Sequence, residues 1–302
     1  MMNSIFHTLK RLKAGAAALA LASLFVCAAP LPSHAQSLAS QIEQQSQMQY
    51  RSLLQQAAQH RALAPEDNAE LQRLRLIHQR LLPFTYAFNP HARTWQWEVN
   101  LIGSKQINAF CMPGGKIAFF TGILRTLNLT DDEVAVVMGH EISHALREHG
   151  VERYKKQLGG QVIADVGGAV IGQWLGIDPR LAQMGTRGVN QLFQLKFSRT
   201  DETEADAIGL ELAARAGFDP RAGIALWRKM AQASRGAPPE WLSTHPAGQN
   251  RIREIQAHLP QVMPLYARAA GKDLAQLPPY QMTPLNGPYS PSRSHRTRLH
   301  RR

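Results

Sequence analysis

The stretch "VVMGHEISHALREHG", residues 136–150, carries three histidines and two glutamates on what reads as a single helix. Thr130 and Glu133 ahead of it fit a capping box, and Asp131 and Asp132 fill the first turn, where the helix dipole favours anions. Gly150 is a suitable stop. Within the helix, His140-Glu141-Ile142-Ser143-His144 forms an H-E-x-x-H motif. At about 100° per residue the two histidines lie about 40° apart, so both imidazoles can face one ion. Glu141 falls about 100° from His140, beside such an ion without being forced to ligate it. Two nitrogen ligands and an adjacent carboxylate base are what zinc-dependent hydrolysis requires. His149 lies about 180° from His140, which makes it a packing or charge partner near the helix end, not a ligand of the same ion. The longer pattern that adds a glycine at 147 and a histidine at 150 is absent, because Arg147 and Gly150 stand there.

A catalytic zinc with two histidines needs a third ligand and one open position. "SRTDETEADAIGLELAARAGF", residues 198–218, is the strongest source. Helical phase puts Glu202 on one face with Ala205, Asp206, Gly209, Leu212 and Ala213, the small and apolar side. Glu204 shares the opposite, solvent face with Glu211 and Arg215. Glu202 is therefore the expected ligand. Asp206, one turn on, points inward as well and suits a carboxylate that orients a ligating histidine through its second nitrogen.

With these residues in view, the chain resembles the gluzincin metallopeptidase family that includes HtpX, the mitochondrial Oma-type proteases, the CAAX prenyl proteases and the periplasmic BepA and LoiP. The likeness runs from about residue 70 to 255 and rests on four segments in order: "NAFCMPGGKIAFFTGIL", "DDEVAVVMGHEISHALREH", "SRTDETEAD" and "STHPAGQNRI". It is nearest the periplasmic BepA and LoiP type, without a repeat domain. The resemblance implies one zinc per chain, held by His140, His144 and Glu202, with Glu141 as general base. It also places His245 near the metal, either steadying the oxyanion or filling the open position at rest. Arg251 would orient that segment or a substrate carbonyl. The "NAFCM" strand would line the cleft as an edge available to an extended substrate, with Cys111 a buried small hydrophobe. No other cofactor is expected.

The fold expected is α+β and mostly helical: a zincin-like metallopeptidase domain with a small antiparallel sheet and an active-site helix. Polar and amphipathic helices are expected over 36–60 and 67–82, strands within "TWQWEVNLI", "INAFCM" and "KIAFF", a short helix at "TGILRTLNL", and further helices from about 200 and over 219–233. Trp95 and Trp97 read as core packing on the first strand. The glycine-rich segment 157–190 is either a mobile lid or a packed helical hairpin.

Residues 1–35 read as a secretory signal peptide: Lys10, Arg11 and Lys13, then "AGAAALALASLFV", then a cleavage site at Ser33-His34-Ala35. Lipidation at Cys27 would instead attach the chain to the outer membrane, although Val26 is a poor residue before it. Cleavage at 35 leaves Cys111 as the sole cysteine, which excludes an internal disulfide and a four-cysteine zinc site. The metallopeptidase domain is expected over 36–265. A Pro-rich, basic, disordered tail is expected over 266–302, ending in "RSHRTRLHRR". The formal charge of +12 falls to +9 once the three basic residues of the signal are removed. The tail suits anionic lipid or lipopolysaccharide; export argues against nucleic acid.

The function expected is an exported, periplasmic zinc endopeptidase acting on envelope proteins or peptides in protein quality control. The alternative is a chaperone-like or binding factor that works with the outer-membrane assembly machinery, with proteolysis suppressed.

Overall fold

In a computed structural model, residues 38–152, 197–234, 239–246, 250–285 and 287 are described. The signal-peptide and Cys27 readings, the 157–190 segment and the arginine-rich end lie outside these residues.

Helix α1 (Leu38–Gln59) and helix α2 (Ala69–Thr85) precede the sheet. Asn68 caps α2 by accepting from the backbone N–H groups of Glu70 and Leu71. The strands are β1 (Glu98–Ile102), β2 (Ala109–Met112) and β3 (Lys116–Phe120), in spatial order β1-β3-β2. The sheet is mixed, which corrects the antiparallel expectation. β2 and β3 form an antiparallel pair through the 113–115 turn, where Gly114 and Gly115 take positive φ of 79° and 77°. β1 pairs with β3 in parallel, with Glu98 opposite Lys116 and Ile102 opposite Phe120. Residues 103–108 thus carry the chain past β3 to the far edge instead of reversing it at Gly103-Ser104. Trp95 and Trp97 precede β1; Trp95 is buried, and the two rings lie 5.2 Å apart.

Both faces of the sheet are mostly apolar, with Asn100 on the α1 side donating to the Tyr50 hydroxyl, and helices cover each face. Tyr50, Leu53 and Ala57 of α1 pack on Ile102, Phe110, Met112, Ala118 and Phe120. Leu71, Leu74 and Ile77 of α2 pack with Val99, Leu101, Ile117 and Phe119 on the other side.

A short helix α3 (Thr121–Thr126) leads to α4 (Asp131–Leu146), which carries the H-E-x-x-H motif. Its capping box is formed as expected: Thr130 accepts from the Glu133 N–H, and Glu133 accepts from the Thr130 N–H. Arg73 clamps the same end, donating to Asp131 at 2.6 Å and to the Leu129 carbonyl at 2.8 Å. α4 is buried on every side from Glu133 to Leu146, its apolar residues in the core and its histidines and Glu141 turned to the candidate site. It ends at Leu146, not at Gly150: Glu148 adopts a φ of +54°, and a new helical turn begins at His149.

The next described helices are α5 (Arg199–Arg215), α6 (Ala222–Ala233), α7 (Trp241–Thr244) and α8 (Arg251–Ala269). The expected boundary at 265/266 therefore falls inside α8. Beyond it, residues expected to be disordered pack on the fold: the Tyr280 and Thr130 hydroxyls lie 3.0 Å apart, and Thr283 donates to the Asn128 carbonyl at 2.8 Å. Buried Asn128 supplies the polar partners that a Pro-rich segment needs in order to dock. No helix among the described residues is long and apolar enough to cross a membrane.

Candidate metal centre

α4 and α5 cross at two glycines. A Cβ on Gly139 would lie 2.8 Å from the Gly209 carbonyl oxygen, and one on Gly209 would lie 2.7 Å from the His140 nitrogen. This contact brings the two backbones together and sets His140 and His144 against Glu202. A capping box from Ser198 to Asp201 starts α5 just ahead of that glutamate. The Phe197 N–H donates to the Thr244 carbonyl at 3.0 Å, which ties the lead into α5 to the turn bearing His245.

His140, His144, Glu202 and His245 are all buried, and one ligand atom from each lies within 4.8 Å of the others. Nε2 of His140 is 3.1 Å from Nε2 of His144, 3.2 Å from Nδ1 of His245 and 3.7 Å from Oε2 of Glu202. Oε1 of Glu202 is 3.4 Å from Nε2 of His144 and 3.0 Å from Nδ1 of His245. Ligands held at about 2.0–2.1 Å by a tetrahedral ion sit roughly 3.3 Å apart, so these spacings fit. The proton inventory agrees. Nδ1 of His140 lies 2.9 Å from Asp206 Oδ1 and donates to it, leaving a lone pair on Nε2 that faces the His144 Nε2. Lone pairs and a carboxylate converging in a buried space call for a cation.

Charged groups brace the cluster. Arg251 donates to Asp206 from Nε at 2.6 Å and from Nη2 at 2.8 Å, and to Glu202 from Nη1. Its guanidinium lies 3.9 Å from the Trp227 ring centre. Burial alone would raise the Glu202 carboxyl, but His245, His144 and His140 outweigh it and hold it well below the usual range. Burial likewise opposes the Asp206 carboxylate, and Arg251 with His140 reverses that. Burial would lower His245; Glu141 and Glu202 raise it instead. His144 is pushed down, chiefly by burial. The Cys111 thiol is pushed up by burial and then by Glu141, so it stays protonated.

Glu141 stands beside the cluster. Its Oε1 accepts from Trp241 Nε1 at 2.5 Å and lies 3.5 Å from Nε2 of His245. A narrow opening next to it is lined by Asn108, Phe110, Cys111, Phe197 and Thr244, so it runs along β2. β2 pairs only with β3 among the described residues.

The structure thus brings together His140, Glu141, His144, Glu202, Asp206, His245 and Arg251. Arg251 braces the site carboxylates, and its contact with the Pro246 carbonyl is long at 3.4 Å. The angular placement of His149 is corrected: it lies on the site side, with its Nδ1 3.0 Å from Nδ1 of His144, though outside the ligand cluster, and half-exposed Glu204 lies 3.0 Å from its Nε2. The 180° placement assumed an unbroken helix, and the turn at Glu148 breaks it. Sequence reading also passed over Trp241 and Phe197. Trp241 stacks on His245 at 4.9 Å, and Phe197 on His144 at 3.8 Å. The W-x-x-x-H spacing of 241 and 245, one helical turn, was the available signal for the first.

A mostly helical α+β domain in which an H-E-x-x-H helix meets a buried glutamate from a second helix is the arrangement of a zincin-type metallopeptidase. The model of Peptidase family M48 matches residues 68–259, and the chain belongs to that family, whose members use zinc. Among similar proteins, the mitochondrial metalloendopeptidase OMA1 of Bos taurus is 36% identical over 184 residues, covering 55% of this chain and 33% of the relative. OMA1 of Arabidopsis thaliana is 38% identical over 169 residues, covering 56% and 33%. The beta-barrel assembly-enhancing protease of Escherichia coli is 29% identical over 175 residues, covering 56% and 36%. The chain spans between 33% and 40% of the length of the first three relatives it matches.

Proposed function

We propose that this chain is an exported zinc endopeptidase that hydrolyses peptide bonds in envelope proteins, in a quality-control role. The observation that carries this reading is the convergence of His140, His144 and Glu202 with Glu141 held alongside but outside the ligand set. His140, His144 and Glu202 would hold the zinc, which when bound would supply a Lewis acid for the scissile carbonyl. Glu141 takes a proton from the attacking water and passes it to the leaving amine. Trp241 fixes the Glu141 carboxylate through its indole N–H. His245 sits in the ligand set in this conformation, and on leaving it would steady charge on the carbonyl oxygen. The outer edge of β2 offers backbone groups to an extended substrate. Export and a periplasmic location are supported by the composition of residues 1–35.

Glu141→Gln should keep zinc and lose cleavage of a casein-type substrate by at least a hundredfold. Hydrolysis at the parent rate would sink the mechanism. A second reading, a binding factor for outer-membrane assembly, is favoured by Glu141 being engaged by Trp241 and by His245 standing among the ligands. The similar Escherichia coli protein, a beta-barrel assembly-enhancing protease, points the same way. Glu141→Gln should fail to restore envelope integrity to a deletion strain if proteolysis is the main task. Full restoration would favour the binding role.

A further inference from the structure

Each histidine of the H-E-x-x-H motif has its second nitrogen engaged, but by different means. His140 meets a carboxylate directly, Asp206, which Arg251 holds in turn. His144 meets another imidazole. We propose that His149 and Glu204 are positioning residues for His144, forming a chain from His144 Nδ1 through His149 to the Glu204 carboxylate, which Arg147 anchors; this rests on the reading that His144 binds zinc.

The proton assignments follow from the geometry. Nε2 of His144 faces the cluster, so the proton of its neutral ring is on Nδ1. That N–H points at Nδ1 of His149, 3.0 Å away, which must accept. His149 then carries its own proton on Nε2, where Glu204 Oε2 waits at 3.0 Å. Glu204 is fixed from its other side by Arg147 Nε, 2.6 Å from Oε1. Every donor has one acceptor, and only one tautomer of each ring satisfies the chain. His149 is buried, and Phe197 stacks on the opposing ring, so His144 is held both in plane and along its hydrogen bond. The backbone is shaped for this: the left-handed turn at Glu148 brings a residue five places on back beside His144. A carboxylate acting through an imidazole raises the basicity of the ligating nitrogen and fixes its direction, as a directly bonded carboxylate does.

The test is zinc affinity by chelator competition, with the melting temperature of the metal-free protein alongside. His149→Ala should weaken zinc binding by about 10- to 100-fold. Glu204→Gln, at a half-exposed position that tolerates change, should weaken it severalfold, and the double variant no more than His149→Ala alone. Metal-free melting temperatures of the folded variants should stay close to the parent. In ¹⁵N imidazole spectra of the zinc-loaded parent, His144 should be protonated at Nδ1 and His149 at Nε2. Zinc affinities within twofold of the parent for both variants, or a His149 protonated at Nδ1, would overturn the proposal. Should His149→Ala not fold, Glu204→Gln and the parent spectra decide. A parent that binds no zinc overturns the metal reading and this one with it; a parent that binds zinc beside undiminished variants overturns this one alone.

Discussion

Asp206 shows how much one side chain decides at this site. It joins the His140 ring to Arg251, so a single carboxylate fixes a tautomer and anchors a buried guanidinium. Asp206→Asn keeps the shape but removes the charge that stabilises both neighbours. Zinc affinity should fall about 10- to 100-fold. An affinity unchanged by competition titration would mean that the ring is held by packing alone. The inward phase of Glu202 and Asp206 was legible because the two lie four residues apart on one uninterrupted helix, where angle follows from count. The same count puts Glu204 toward solvent, where its side chain stays 37% exposed, but it gives no sign of the His149 partner that the turn at Glu148 brings to it. Phase arithmetic holds only to the end of a helix, and while Gly150 reads as that end, the chain turns at Glu148, a non-glycine residue at positive φ. No local residue type announces such a turn.

At the scale of elements, the site depends on the approach of α4 and α5. Gly139 and Gly209 face each other across the crossing, and each would place a Cβ against the other helix's backbone. Backbone cannot rotate away as a side chain can, so Gly209→Ala must push the helices apart. We expect a loss of roughly 3 kcal/mol, at the upper end of overpacking effects. Zinc affinity should fall with it, since Glu202 travels with α5 while His140 and His144 stay on α4. Chemical denaturation of the metal-free protein, together with zinc titration, checks both; a variant with parent stability would show that the crossing can relax. The helices were legible from period and capping residues, and the strands from their aromatic and β-branched runs. The pairing of β1 was not. A parallel partner lies beyond a whole strand in sequence, and nothing in "TWQWEVNLI" distinguishes that arrangement from a hairpin neighbour.

For the whole molecule, a buried ion pair and a buried histidine, both away from the candidate metal site, tie the stability of the fold to conditions. Lys229 of α6 is fully buried and donates to Glu133 at 2.6 Å, to the Asn128 carbonyl at 2.9 Å and to Thr283 at 2.7 Å. It links the start of α4 to the C-terminal segment. Burial lowers the Lys229 ammonium and raises the Glu133 carboxyl, so each depends on the other to stay charged. Lys229→Met should cost about 3–5 kcal/mol, and Lys229→Met with Glu133→Gln should recover much of it, because the uncompensated charge is gone. Equal midpoints for the single and double variants in a denaturant titration would contradict this. His78 of α2 is the second group. It is buried 5.3 Å from the Trp97 ring, its Nε2 has no hydrogen-bond partner, and burial lowers its pKa from 6.5 to about 4. The folded state therefore resists protonation while the unfolded chain accepts it. The stability due to neutral His78 is complete above pH 6.5 and is lost as pH falls toward 4, by about 3 kcal/mol at the lower limit. His78→Leu removes this dependence and leaves the titrations of the metal-site histidines in place. The difference in unfolding free energy between parent and variant should then shift by about that amount between pH 7 and pH 4, with the parent losing more. A constant difference across that range would place a proton on His78 in the folded state and contradict its burial as the controlling influence.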